Sequence, residues 1–239
     1  MLYLTGDTHA DFGKLWRLAF SKVTEPSDIV VILGDSGINY LDGGVCRVTK
    51  ENLSRLPFTL FCIHGNHEKR ASAIDSYKEI IWNGGIALVE DKYPNLIFAK
   101  DGEVYNIEGH SVLTIGGAYS PDKEYRISHG YPWFSDEQPS EEIKSRVQTA
   151  ITKYKKHIDV VLTHTCPNRF IPYEELTCND MYGDVDTSTE EWLGVIEADL
   201  DYDHWFCGHY HIDKDIDKLS FLFNNVVPIS NYIATCENN

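Results

Sequence analysis

The strongest constraint on the fold is a series of short apolar segments that recur along the chain and end in glycine or polar residues. They are rich in β-branched and aromatic residues, and most are continuous rather than alternating, which is typical of strands covered on both faces. They occupy residues 2–6, 28–34, 58–65, 111–117, 159–164 and 204–209. The pattern predicts an α/β protein whose sheet lies between other layers.

Amphipathic segments between these strands predict helices at approximately 11–22, 46–56, 69–81, 140–157 and 187–199. The last two begin with sequences typical of capped N-termini, at Ser140 and Ser188. Two apolar runs within residues 103–115 predict an antiparallel hairpin, which would make the sheet mixed. Residues 118–139 show no clear periodicity and predict an ordered loop over one end of the sheet.

The composition predicts a single globular domain over residues 1–239. Hydrophobic residues make up 42% and charged residues 24% of the chain, and no repeat or linker divides it. No apolar run approaches the roughly 18 residues of a membrane span, and the first residues lack the features of a signal peptide. The six cysteines have no CxxC spacing, so we expect reduced thiols and a cytoplasmic location.

The net charge of −16 argues against a nucleic-acid partner, because that affinity depends on clustered Lys and Arg. The most basic segment, residues 153–157, follows Glu141 and Glu142 on one predicted helix. We interpret it as the cationic C-terminal end of that helix. Neither a nucleic acid nor a membrane is an expected partner.

Potential metal ligands come directly after one predicted strand after another. They are Asp7, His9, Asp35, Asn66, His164, His209 and His211. Because the carboxyl ends of parallel strands face one crevice, these side chains can converge although they are distant in sequence. Carboxylate, amide and imidazole groups together fit divalent transition metals better than calcium or a structural zinc. Seven ligands exceed the needs of one catalytic ion, so two ions that share a carboxylate are favoured.

The order of these motifs resembles the pattern of the calcineurin-like metallophosphoesterase family. That pattern is D-x-H, G-D, G-N-H-[DE], a His after an apolar strand, and G-H-x-H. This chain has DTH at 7–9, GD at 34–35, GNHE at 65–68, His164 within VLTHTCP, and GHYH at 208–211. Each motif alone is weak, whereas five in this order are highly specific.

The resemblance implies a four-layer αββα sandwich of two mixed β-sheets flanked by helices. It also implies that Asp7, His9 and His211 bind one ion and that Asn66, His164 and His209 bind the other. Asp35 would bridge the two ions, and His67 would be an acid that binds neither.

The implied activity is that of a dinuclear metal-dependent phosphatase or phosphodiesterase. Two cations about 3.5–4 Å apart can hold a bridging hydroxide that attacks phosphorus. His67 would protonate the leaving group as the general acid. Manganese or iron is favoured by the mixed oxygen and nitrogen ligands, with zinc as the alternative.

One departure from the family pattern bears on the substrate. Asp35 is followed by SGINYLDGG, whereas the protein phosphatases that this family includes have G-D-x-x-D-R-G, so the phosphate-binding arginine of that motif is absent. A small-molecule phosphate ester is therefore favoured over a phosphoprotein. The alternatives are a metallonuclease of the same fold, which the acidic charge disfavours, and a non-catalytic protein-binding scaffold, which the complete ligand set disfavours.

The remaining reactive side chains are interpreted as structural. Surface placement or core packing is expected for His110, His129, His157 and His204, and strand packing for Cys62 and Cys207. For His64, packing at a strand end is favoured over support of the site from outside the metal shell. Ordinary surface placement of Tyr125 and Arg126 is favoured over contact with a substrate phosphate.

Overall fold

The computed structural model describes residues 1–41, 43–176 and 185–234. The first half of the chain contains β1 (Leu2–Thr5), α1 (Gly13–Ser21), β2 (Ile29–Ile32), α2 (Gly44–Leu53), β3 (Thr59–Cys62), β4 (Lys78–Trp82), β5 (Gly85–Val89) and β6 (Leu96–Ala99). The second half contains β7 (Val104–Ile107), β8 (His110–Ile115), α3 (Lys123–His129), α4 (Glu141–Lys153), β9 (His157–Thr163), α5 (Ser188–Asp199), β10 (Asp201–Cys207), β11 (Lys214–Ile216), β12 (Leu219–Phe221) and β13 (Val227–Pro228). Short 3₁₀ turns occur at Ala71–Ala73, Asn168–Phe170 and Ile229–Asn231.

These strands form two mixed sheets. The first sheet has seven strands in the order β13-β1-β2-β3-β6-β5-β4, and the second has six in the order β11-β12-β10-β9-β8-β7. The strands β1, β2, β3 and β6 are parallel, and so are β12, β10, β9 and β8. Antiparallel strands complete both sheets at their edges.

The parallel strands are apolar throughout because each of their faces packs against another layer. Leu4 and Val31 of the first sheet belong to one core with Val160 and Phe206 of the second, which places that core between the sheets. Full burial of such a side chain contributes about 1.5–3 kcal/mol.

The opposite faces of both sheets are covered by helices. On the first sheet, Val30 shares a core with residues of α1 and α2, among them Leu15 and Leu53. On the second, Trp205 shares a core with Val147 of α4 and other residues of α4 and α5. The four layers are therefore helices, sheet, sheet and helices, which confirms the αββα expectation.

All six predicted strands are present, and β7 and β8 form the predicted antiparallel hairpin. The predicted helix at 69–81 is wrong, since this segment contains a single 3₁₀ turn and the start of β4. The loop predicted at 118–139 contains the helix α3. Ser140 caps α4 as predicted by accepting a hydrogen bond from the Ile143 N–H, whereas α5 has no side-chain cap.

Among the described residues, no helix combines the length and the apolar character needed to cross a membrane. The buried cysteines Cys62, Cys166 and Cys207 form no disulfide with another described residue. Cys178 and Cys236 lie outside the described residues.

Candidate metal centre

The predicted ligands lie just beyond the carboxyl ends of five parallel strands. Asp7, Asp35 and Asn66 follow β1, β2 and β3 of the first sheet, while His164 and His209 follow β9 and β10 of the second. The two sheets face each other, so their strand ends meet along one edge of the sandwich, as expected for a ligand site in an α/β fold.

The backbone at this edge is strained. His9, Asp35, His209 and His211 have φ angles of 44°, 48°, 65° and 54°, in the left-handed region that costs a residue with a Cβ about 1–3 kcal/mol. Gly34 has a φ of 91°, and a Cβ there would overlap the ring of His164. Such strain is typical of sites where the backbone must bring side chains to one point.

Asp7, His9 and His211 are candidate ligands of one ion, and we call them the exposed ligand group because both histidines are exposed. The Nε2 atom of His211 lies 3.0 Å from Oδ2 of Asp7, and the Nε2 atoms of His9 and His211 lie 2.9 Å apart. Burial alone would raise the pKa of Asp7, but hydrogen bonds with His211 and His9 outweigh it and hold that pKa well below its usual value. The group has ligand atoms within 4.8 Å of one another, which is compact enough to surround one cation.

Asn66 and His164 are candidate ligands of a second ion, and we call them the buried ligand pair. Nδ1 of His164 lies 2.8 Å from the carbonyl oxygen of Leu33 and therefore donates its proton there. In the neutral ring, Nε2 then has only a lone pair, yet it lies 2.8 Å from Oδ1 of Asn66, which is also an acceptor. Two acceptors directed at each other fit a cation that binds both of them.

Asp35 lies between these two sets of donors and is 3% exposed. Its Oδ1 is 3.7 Å from Nε2 of His164, and its Oδ2 is 3.9 Å from Nε2 of His9. Asp35 also shares compact donor sets with Asp7 and His164 and with His9 and His67. One carboxylate therefore faces the exposed ligand group with one oxygen and the buried ligand pair with the other.

His209 is less closely associated with the other donors. Its backbone N–H donates to Oδ1 of Asp7 at 2.9 Å, and its ring centroid lies 5.0 Å from that of His164. The pKa of His209 is well below its usual value, mainly because the ring is buried and secondly because His164 is nearby. Among the described residues, the three compact sets of donors do not include His209.

Glu68, the last residue of the GNHE motif, is buried and supports the loops that carry the ligands. Its carboxyl group accepts hydrogen bonds from the Ser36 hydroxyl at 2.5 Å and from the Gly65 N–H at 3.3 Å. Burial raises the pKa of Glu68 to about 7, although the bond from Ser36 opposes the shift. Glu68 therefore joins the loop after β2 to the loop after β3.

His67 lies beside the ligands, with Nδ1 3.9 Å from Oδ2 of Asp35. On its other side are two residues of the α3 segment, Asp122 and Arg126. Nη2 of Arg126 lies 3.1 Å from Nδ1 of His67, and Oδ1 of Asp122 lies 3.4 Å from Nε2. Burial alone would raise the pKa of Asp122, but the His67 and Arg126 contacts lower it to about 2.

The expected surface placement of Arg126 is therefore wrong, because this side chain is 8% exposed and contacts His67. Tyr125, its neighbour, is 55% exposed, as expected. No sequence signal marks Asp122 and little marks Arg126, since both reach His67 only through the folding of residues 118–139. His64 packs at a strand end as expected, and burial followed by the Arg70 charge lowers its pKa well below the usual value.

Comparisons with known proteins agree with the motifs. The profile of the calcineurin-like phosphoesterase family matches residues 2–213. Among 19 similar solved chains, one is a phosphopantetheinyl hydrolase from Mycobacterium tuberculosis, with 14% identity over 93% of this chain and 87% of that chain and a TM-score of 0.49. No curated protein sequence is significantly similar to this chain.

The chain belongs to the calcineurin-like phosphoesterase family, because the family profile covers most of its length. This confirms the resemblance that the five motifs indicate. The protein is accordingly a metal-dependent phosphoric ester hydrolase.

Proposed function

We propose that this protein hydrolyses a small-molecule phosphomonoester or phosphodiester at a centre of two divalent ions. The exposed ligand group would hold one ion, and the buried ligand pair together with His209 would hold the other. The observation that carries the proposal is the position of Asp35, whose two oxygens face His164 and His9 at 3.7 and 3.9 Å. A carboxylate placed in this way can belong to both ions.

When bound, two divalent ions supply a water of lowered pKa for attack on phosphorus and neutralise the phosphoryl oxygens. Manganese or iron suits the mixed oxygen and nitrogen donors, with zinc as the alternative. A reducing compartment such as the cytoplasm is part of this proposal, because the six cysteines have no CxxC spacing.

His67 would donate a proton to the leaving oxygen, and for this the ring must carry protons on both nitrogens. Asp122, whose pKa of about 2 keeps it ionised, stabilises that form from the Nε2 side. Arg126 opposes the doubly protonated ring, because its guanidinium can only donate and lies 3.1 Å from Nδ1, which must then be an acceptor. Arg126 must therefore turn away from His67 before proton transfer.

A substrate phosphate would give Arg126 an anion to turn toward, since a guanidinium matches the geometry of phosphate oxygens. Substrate binding would then free Nδ1 of His67 to take up a proton from water, which gives the ring the second proton that the acid needs. Arg126 would thus supply a contact of the kind that the missing D-x-x-D-R-G arginine makes in the protein phosphatases.

The test is turnover of p-nitrophenyl phosphate and of bis-p-nitrophenyl phosphate with Mn²⁺, with and without a chelator. We expect turnover of at least one ester, loss of it with chelator, and recovery when Mn²⁺ is returned. The ratio of the two rates separates a monoesterase from a diesterase. A folded protein that binds neither manganese, iron nor zinc and cleaves neither ester would refute the proposal.

A further inference from the structure

We infer that Glu137 is a positioning residue which, through Ser120, determines which atom of the Asn66 amide faces the metal centre. This inference rests on the proposed function, in which Asn66 is a ligand. An asparagine side chain has one oxygen, which can bind a cation, and one NH₂ group, which cannot. The affinity of the buried ligand pair therefore depends on which way the amide is turned.

Glu137 is 3% exposed, and both of its carboxylate oxygens accept hydrogen bonds from groups that can only donate. The backbone N–H of Ser120 lies 3.2 Å from Oε1, and the indole Nε1–H of Trp133 lies 2.8 Å from Oε2. These two donors define Glu137 as an acceptor on both sides.

The Ser120 hydroxyl lies 2.6 Å from Oε2 of Glu137, so its proton must point toward the carboxylate. The hydroxyl oxygen then has only lone pairs for its second neighbour, which is Nδ2 of Asn66 at 2.9 Å. The NH₂ group of Asn66 is therefore held at Ser120. Its oxygen is left facing Nε2 of His164 at 2.8 Å.

The cost of this arrangement indicates a role beyond packing. Among the described residues, no Lys or Arg forms an ion pair with Glu137, so a buried carboxylate is stabilised by hydrogen bonds alone. Burying an unpaired charge is expensive. A carboxylate at this position has a clear use if it must fix the direction of the hydroxyl that holds a metal ligand, as groups behind metal ligands commonly do.

The test compares Glu137→Met with the wild-type protein, with Mn²⁺ affinity measured by calorimetry and Co²⁺ binding followed by visible absorption. Without the carboxylate, the Ser120 hydroxyl can donate to the Asn66 oxygen and turn the amide round. We expect affinity for one of the two ions to fall roughly 10- to 100-fold, the range for residues behind metal ligands. Glu124→Met is the matched control, since it removes an exposed carboxylate of α3 and should leave the affinity unchanged.

A second substitution separates orientation from general structural support. In Glu137→Met, adding Asn66→Asp should restore the lost affinity, because either oxygen of an aspartate can bind and the freed Ser120 hydroxyl can donate to the other. In the wild-type background, Asn66→Asp should lower the affinity, since its carboxylate would face the lone pairs of Ser120. If Asn66→Asp does not restore binding in Glu137→Met, the inference is wrong.

Ser120→Ala provides the same test by a different route if Glu137→Met does not fold, as judged by circular dichroism. It should weaken binding of the same ion, because nothing then holds the NH₂ group of Asn66 away from the centre. If Glu137→Met and Ser120→Ala both bind the metal ions with unchanged affinity while Asn66→Ala loses an ion, the inference about Glu137 is refuted. The proposed function is not affected by that result. If Asn66→Ala itself binds both ions normally, the proposed function fails instead.

Discussion

The exposed ligand group and the buried ligand pair present similar donor atoms but hold them in different ways. His9 and His211 are 34% and 47% exposed, and their Nε2 atoms contact each other and Asp7, while the His211 ring also stacks on Phe223 at 4.6 Å. His164 is fully buried, and both it and Asn66 are hydrogen-bonded on the side away from the centre. Because such support orients ligands before an ion arrives, we expect the buried ligand pair to bind its ion more tightly and to exchange it more slowly.

The largest effect should come from removing the carboxylate that both sets share. Asp35→Asn replaces a bridging anion by a neutral amide, which is a poor ligand between two dications. We expect metal content measured by mass spectrometry to fall below one ion per chain and turnover to be lost. Asp122→Asn, which alters a carboxylate beside His67 but not a ligand, should keep both ions. Two firmly bound ions in Asp35→Asn would contradict the shared role.

His67 belongs to neither the exposed ligand group nor the buried ligand pair. Its substitution should therefore affect catalysis without affecting ion binding. His67→Gln should retain both ions and lose roughly 10²- to 10⁴-fold in kcat, as is typical when a general acid is removed. The loss should be greatest for an alkyl phosphate, whose leaving group most needs a proton. His129→Gln, at an exposed histidine of α3, is the control. Undiminished turnover of the alkyl ester by His67→Gln would exclude this role.

The comparison between the two ligand sets is tested directly by removing one histidine from each. His211→Ala should keep the ion at the buried ligand pair, whereas His164→Ala should lose it. In the wild-type protein, a chelator should remove the ions in two phases, and His211→Ala should lack the faster one. Metal content after gel filtration and the time course of release are the measurements. Release in a single phase would mean that the two sets hold their ions equally well.

A smaller effect is expected at Arg126, which contacts His67 rather than either ligand set. Arg126→Gln should raise KM roughly tenfold or more if it removes a charge-assisted hydrogen bond worth about 1.5–3 kcal/mol to the substrate phosphate. Metal content should stay the same. A lower kcat with unchanged KM would show instead that Arg126 acts only on the orientation of His67.

The stability of the fold itself should depend on pH through His204, a buried histidine of β10. Burial lowers the pKa of His204 to about 4 from the usual 6.5, so the unfolded chain binds the proton more readily. The contribution of neutral His204 to the free energy of unfolding is complete above pH 6.5 and is lost as the pH falls toward 4. This contribution is at most about 3 kcal/mol. Urea unfolding of His204→Gln should depend less steeply on pH over that interval, whereas His129→Gln should match wild type.

The positions of the candidate ligands could be predicted from sequence because each follows an apolar strand, so that the strand fixes where the side chain lies. The helix predicted at 69–81 failed for a local reason. Ala71, Ile74, Tyr77 and Ile81 have helical spacing, but Asn83 and Gly84 form the turn between β4 and β5 with φ angles of 47° and 82°. An Asn-Gly pair between apolar runs is a hairpin signal, and it outweighs the periodicity here.

The surroundings of the ligands were harder to predict, because they depend on contacts between distant segments. Asp122, Arg126 and Glu137 lie within residues 118–139, whose sequence carries no clear periodic pattern although α3 forms there. They reach His67 and Ser120 only because that stretch folds back over the strand ends. A single sequence shows which residues follow the strands, but it does not show which carboxylate or guanidinium lies behind them.

The two sheets contribute different members of the metal centre, and this has a consequence for how the protein can vary. Asp7, His9, Asp35 and Asn66 follow strands of one sheet, whereas His164, His209 and His211 follow strands of the other. In the proposed centre, the ions would therefore lie across the gap between the two sheets, and the side chains packed between the sheets help to set its width. A substitution such as Val160→Ile, in the core between the sheets, could leave the fold intact and still shift the spacing of the donors.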